Sequence, residues 1–206
     1  MNILSLFVVI PALMLLGLWI ARNLNQVRGV MVAGASMLLA LSIWLTIYFV
    51  QQRAAGNTDV MLLTYSVPWF KPLNIAYSVG VDGISVVMLL LSSIIVFTGT
   101  FASWQLKPMT KEYFLWFTLL STGVYGFFIC TDMFTMFMFY EVALIPMYLL
   151  IGVWGSGNKE YAAMKLTLML MGGSALLILG ILGIYYYSGA TTMNVNEIAA
   201  MHNIPV

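Results

Sequence analysis

Glu141 is the most informative residue in this chain. It stands in Phe139-Tyr140-Glu141-Val142-Ala143-Leu144-Ile145-Pro146, within an apolar run from Met133 to Trp154. If that run is a helix, Glu141 lies roughly 12 Å from one end and roughly 20 Å from the other, at about 1.5 Å per residue. A carboxylate at that depth in a membrane costs several kcal/mol when ionised and unpaired, so it should face inward and be functional by default. Proton transfer is the chemistry that follows. Pro146 lacks an N–H and crowds the Val142 carbonyl, which frees a polar backbone group beside the acid and gives water an anchor. The bland alternative is a permanently protonated acid bonded to a neighbouring helix, a role that Gln would fill without the penalty.

Lys165 is the second candidate, near the start of the next apolar run. It lies roughly 6 Å from the nearer surface, within reach of a snorkelling lysine stem. The axial gap between the Lys165 and Glu141 backbones is roughly 14 Å, too long for a direct ion pair, so water or another basic partner must connect the acid. Lys165 is therefore either a proton-transfer residue or a lysine that merely snorkels. Asp82 and Asp132 stand at helix starts, where an N-cap role accounts for them. Lys159-Glu160 is a solvated loop pair, and His202 is an exposed tail residue. Cys130 is the only cysteine, which excludes an internal disulfide and leaves no Cys cluster for zinc or iron–sulfur. Gly155-Ser156-Gly157 lacks the third glycine and preceding strand of a dinucleotide fingerprint. No metal ligand set and no cofactor-binding residue is expected on this chain.

The elements that position these residues follow from composition. Apolar residues make up 62% of the 206 and charged residues only 7%, with a formal net charge of +1. A soluble domain would carry roughly a quarter charged residues. The solvent for this surface must be lipid, and the near-zero charge gives no basis for nucleic-acid binding. Six apolar runs reach the roughly 18 residues needed to span a bilayer: Ile3–Ile20, Gly29–Val50, Ile84–Trp104, Tyr113–Cys130, Met133–Trp154 and Tyr161–Tyr187. The expected fold is all-α and integral to the membrane, with about six transmembrane helices over 1–187. The first run has no basic residue before it and Arg22 after it, so it reads as a mature helix rather than a cleaved signal. Thr131-Asp132 is barely a turn, which makes the fourth and fifth helices antiparallel neighbours.

Arg53–Gly83 is the one long polar connection. Pro68 and Pro72 forbid a helix there, and alternating Ile75, Tyr77 and Val79 suit a strand. A short hairpin-like loop on the membrane surface is expected between helices two and three. Ser188–Val206 reads as a polar tail without assignable structure. Arg22, Arg28, Lys107, Lys111 and Lys159 fall on one side of the bundle, against Arg53 and Lys71 on the other. Basic residues are retained inside, so the N-terminus and the hairpin are expected outside. Thr118, Thr122 and Gly126 share one face of helix four, and helix six carries Gly172, Gly173, Ser174, Gly180 and Gly183. Small residues let helices approach closely in lipid; the other reading of helix six is local deformation that admits water.

Three stretches carry a resemblance. Phe139-Tyr140-Glu141-Val142-Ala143-Leu144-Ile145-Pro146-Met147-Tyr148-Leu149-Leu150-Ile151-Gly152-Val153-Trp154-Gly155 resembles helix five of the antiporter-like subunits of respiratory complex I, the proton-pumping NADH:quinone oxidoreductase. The chain M type, called chain 4 in mitochondria, is the nearest match. Gly80-Val81-Asp82-Gly83-Ile84-Ser85 resembles that family's entry into helix three, and Ala162-Ala163-Met164-Lys165 its entry into helix six. The resemblance implies that Glu141 is the helix-five glutamate of a proton-transfer site and Lys165 the inner-side lysine of helix six. It implies a proton-translocating membrane subunit coupled to quinone reduction elsewhere in the complex. NADH, FMN, iron–sulfur clusters and quinone are then expected on other subunits. Partners would be the other membrane subunits, neighbouring antiporter-like ones included, in a bacterial inner membrane. The helix-five motif is shared with multisubunit cation/proton antiporters and membrane-bound hydrogenases, which remain the alternative. The family continues through a seventh helix whose lysine pairs with the helix-five glutamate, so this chain is expected to be the N-terminal part of a longer protein.

Overall fold

A computed structural model describes residues 2–105, 111–187, 189 and 192–200. Lys107 and His202 lie outside the described residues. After a single 3₁₀ turn at Ile3–Ser5, the chain runs through α1 (Leu6–Ile20) and α2 (Leu24–Ala54), then β1 (Leu62–Phe70) and β2 (Ile75–Val81). The helices α3 (Gly83–Ala102), α4 (Lys111–Ile129), α5 (Met133–Trp154), α6 (Lys159–Tyr187) and α7 (Val195–Ala199) follow.

The helices are longer than the apolar runs alone suggest where polar ends stay helical. α2 begins at Leu24 because Asn23 and Gln26 form a capping box, and it carries Gln51, Gln52 and Arg53 in its last turns. Its 31 residues make a rod of roughly 46 Å, so both ends project past the hydrocarbon. Among the described residues, five helices are long and apolar enough to cross a membrane: the Ile3–Ile20 segment, α2, α3, α5 and α6. α4 is a sixth long helix, and its composition differs for a physical reason. It packs against α1, α2, α3 and α5, so it buries Thr118, Ser121, Thr122, Gly123, Tyr125 and Gly126 against protein rather than lipid.

Those buried polar groups are satisfied locally. Ser121 and Thr122 hydroxyls donate to the Thr118 carbonyl at 2.8 Å, and Tyr125 OH donates to Ser93 Oγ on α3 at 3.2 Å. The α4 glycines explain how closely α5 approaches. A Cβ on Gly123 would stand 2.9 Å from the Phe139 carbonyl oxygen and 3.0 Å from Ala143 N, and one on Gly126 would collide with the Phe139 ring. Helix six packs against α5, but among the described residues its glycines take no part in a close contact. Nothing lies within 4 Å of a Cβ built on Gly172, Gly173, Gly180 or Gly183. Only Ala163, Ser174 and Ile181 of α6 are buried.

The hairpin is antiparallel, with Tyr65 opposite Val79 and Val67 opposite Tyr77. Its connection is a 3₁₀ turn at Lys71–Leu73 closed by Asn74 at φ 52, a left-handed conformation that asparagine tolerates. A two-stranded sheet leaves the outer edge of β2 with unpaired backbone groups, which need partners. Thr131-Asp132 supplies them, so this junction is more than the bare turn expected from sequence. Thr131 N donates to Ser78 O at 2.9 Å, and Val79 bridges to Cys130. The tail, to which the sequence alone assigns no structure, also joins this layer through its described residues. Met133 N donates to Met193 O at 2.9 Å and Val195 N to Thr131 O at 3.0 Å. Met193 and Ile198 are buried. Segments 62–70, 75–81, 130–133 and 193–195 thus lie edge to edge as one outer layer.

Candidate functional site

α5 carries the site. Asp132 caps it, accepting Thr135 N–H at 2.9 Å, and Pro146 interrupts its backbone hydrogen bonds from within. Only Thr135, Leu144 and Pro146 of its residues are buried. Glu141 is half-buried on the face toward α6, and its Oε1 is buried without a hydrogen-bond partner among the described residues. A groove of about 460 Å³ opens there, lined by Met138, Glu141, Val142, Leu144, Ile145 and Tyr148 of α5 and by Thr167 and Met171 of α6. Its walls are apolar apart from Glu141, Tyr148 and Thr167. A carboxyl in such a slot can exchange a proton with a water or a polar group that enters the groove, and little else.

Lys165 does not meet Glu141. It is exposed on α6, with Nζ 5.9 Å from the centre of the Tyr161 ring one turn earlier. Asp82 caps α3 through Ser85 N at 2.8 Å, as its position at the helix start suggests. Cys130 is buried and unpaired. Among the described residues, no group of three or more His, Cys, Asp or Glu is placed to hold a metal ion.

Two features escaped sequence reasoning. Tyr148 and Thr167 add polar atoms to the groove. Tyr148 is seven residues beyond Glu141, hence on the same helical face, so the period carried a signal. Thr167 depends on how α6 lies against α5, which no local pattern encodes. The second feature is Asp132, whose other oxygen accepts the Ala76 N–H of β2 at 3.3 Å.

These features define a polytopic helical membrane protein with a half-buried acid beside a groove between two of its helices. Residues 130–205 match the family model described as NADH:quinone oxidoreductase/Mrp antiporter, TM. It is 30% identical over 213 residues to NADH-quinone oxidoreductase subunit M of Rickettsia typhi, covering 99% of this chain and 42% of that protein. It is 32% identical over 130 residues to NAD(P)H-quinone oxidoreductase chain 4-2 of Synechocystis sp., covering 63% of this chain and 23% of that one. The chain thus spans between about a quarter and two-fifths of these relatives. Its fold matches a chain of respiratory complex I from Thermus thermophilus with a TM-score of 0.79 at 20% identity, over 98% of this chain and 39% of the other. It also matches a chain of the Mrp complex from Dietzia sp., with a TM-score of 0.72 at 18% identity, over 97% and 20%. The chain M or chain 4 resemblance carried by Phe139–Gly155 is borne out.

Proposed function

We propose that this chain is part of a proton-translocating membrane subunit of an NADH:quinone oxidoreductase, with Glu141 as its proton-transfer group. The observation that carries the reading is Glu141 Oε1, buried and unpartnered on a membrane helix beside a groove. An acid retained there carries a cost that an apolar residue or Gln avoids. Proton exchange is a function that a carboxyl performs and that neither Gln nor an apolar residue can. Pro146 supports the same reading by leaving the Val142 carbonyl without its helical donor, next to the acid in the same groove. The reading makes Lys165 a loading group from the inner side rather than a direct partner. Electron transfer and its cofactors belong to other subunits, and the assembly sits in a bacterial inner membrane with the N-terminus outside.

The test is Glu141→Gln in the full-length subunit, read as the proton gradient that NADH oxidation builds across membrane vesicles. Subunit levels are checked in the same preparation. Assembly should be retained and pumping strongly impaired, since size and hydrogen-bonding capacity are kept while the exchangeable proton is lost. Normal pumping at normal assembly would refute the role. The family description also names an antiporter, which favours a second reading as a subunit of a cation/proton antiporter. Sodium-driven proton movement without NADH, abolished by the same substitution, would support that reading instead.

A further inference from the structure

The cap of α5 is an unexpected place for a buried carboxylate. Asp132 is 1% exposed, and ionised carboxylates are costly to bury. An N-cap is served as well by Asn or Ser and nearly as well by Thr, so capping alone does not call for an acid. Its two oxygens do different things. Oδ1 accepts Thr135 N–H from the first turn of α5, and Oδ2 accepts Ala76 N–H from the edge of β2. Serine has one oxygen. Asparagine would turn its NH₂ toward Ala76, donor against donor. Aspartate presents an acceptor at both positions without lengthening the stem. Thr135 Oγ1 completes the junction by donating to the Ala76 carbonyl at 3.1 Å.

This junction matters for the residue nine positions on. Glu141 lies roughly 14 Å down the same helix. The Gly123 and Gly126 contact sets how near α5 stands to α4. Hydrogen bonds are directional, and those at the outer end set the height and rotation of the first turn. We propose that Asp132 is a positioning residue for Glu141: by bonding β2 and α5 at once, it fixes where Glu141 meets the groove against α6. This rests on the proton-transfer reading of Glu141 and adds a residue to it.

The test uses the full-length subunit in its assembled complex, with Asp132→Asn and Asp132→Ser. Both keep the cap and lose the tie to β2. Three quantities are measured: subunit level, protons moved per NADH oxidised, and the rate at which dicyclohexylcarbodiimide modifies Glu141, followed by mass spectrometry. At normal subunit level, the modification rate should change at least threefold and pumping should fall severalfold. Unchanged modification with unchanged pumping in either variant overturns the proposal. So does loss of the subunit in both variants, which would make the tie a folding requirement only. Modification of Glu141 is read without reference to pumping. Normal pumping by Glu141→Gln would therefore sink the proton-transfer reading, while unaltered modification with unaltered pumping in the Asp132 variants would sink only this inference.

Discussion

At the scale of single residues, the chain places its acids where their surroundings define their work. Glu141 has a buried oxygen with no partner, whereas each oxygen of Asp132 has one. Burial holds the Asp132 carboxyl above its ordinary value of 3.8, against the pull of hydrogen bonds from Thr135, Ala76 and Phe134. The folded chain therefore keeps this proton more tightly than the unfolded chain does. The associated stability is complete below the ordinary value and is lost as pH rises through the raised one. Unfolding of the detergent-solubilised chain, followed as pH rises from below the ordinary value of 3.8, should show this fall. Asp132→Asn should flatten the slope, whatever it does to absolute stability. Equal slopes in the two proteins would show that Asp132 does not contribute it.

At the scale of elements, helix ends and helix contacts are governed by different residues. Three helices finish on the same face, and each receives a basic side chain at its last carbonyls. Lys111 donates to Trp19 O at 2.7 Å and Ala21 O at 2.9 Å after α1. Arg28 donates to Trp104 O at 3.0 Å after α3, and Lys159 to Val153 O at 2.7 Å in the last turn of α5. The cations satisfy orphan acceptors and oppose the negative end of each helix dipole. The contact between α4 and α5 rests on glycine instead. Gly123→Ala should destabilise the chain by about 1–3 kcal/mol, because the new methyl meets α5 backbone that cannot rotate away. Gly172→Ala, which meets nothing within 4 Å, should be neutral or stabilising by up to about 1 kcal/mol. Thermal unfolding of the two purified variants makes the comparison, and equal effects would mean that α4 and α5 are not in close contact. The helix-five acid and the spans were legible because apolar length and a lone intramembrane charge are local signals. Which glycines pack was not. Gly126 and Gly172 look alike in sequence, and only the arrangement of neighbouring helices separates them. The second role of Asp132 was hidden for the same reason, since its partner Ala76 lies 56 residues away.

At the scale of the whole molecule, the basic residues divide the bundle into two faces and predict its orientation. Lys71, at the exposed tip of the hairpin, should lie outside, and Asn158, exposed before α6, should lie inside. With cysteine at either position, a membrane-impermeant maleimide added to intact cells should label the first and spare the second until the membrane is opened. Buried Cys130 should remain silent. The reverse pattern would invert the topology. The outer layer also carries a consequence for the order of synthesis. The hairpin leaves the ribosome early, yet the edge of β2 is paired by residues 131 and 132, and that segment in turn by residues 193 and 195. Contacts so far apart along the chain close late, because the intervening loop must be drawn in before they form. The hairpin must therefore wait with an open edge until α3 and α4 have been made, and residues 193–195 close the layer last, after α5 and α6. For that interval the nascent protein exposes a strand edge that the finished one hides, and a factor that shields such edges would be needed only then.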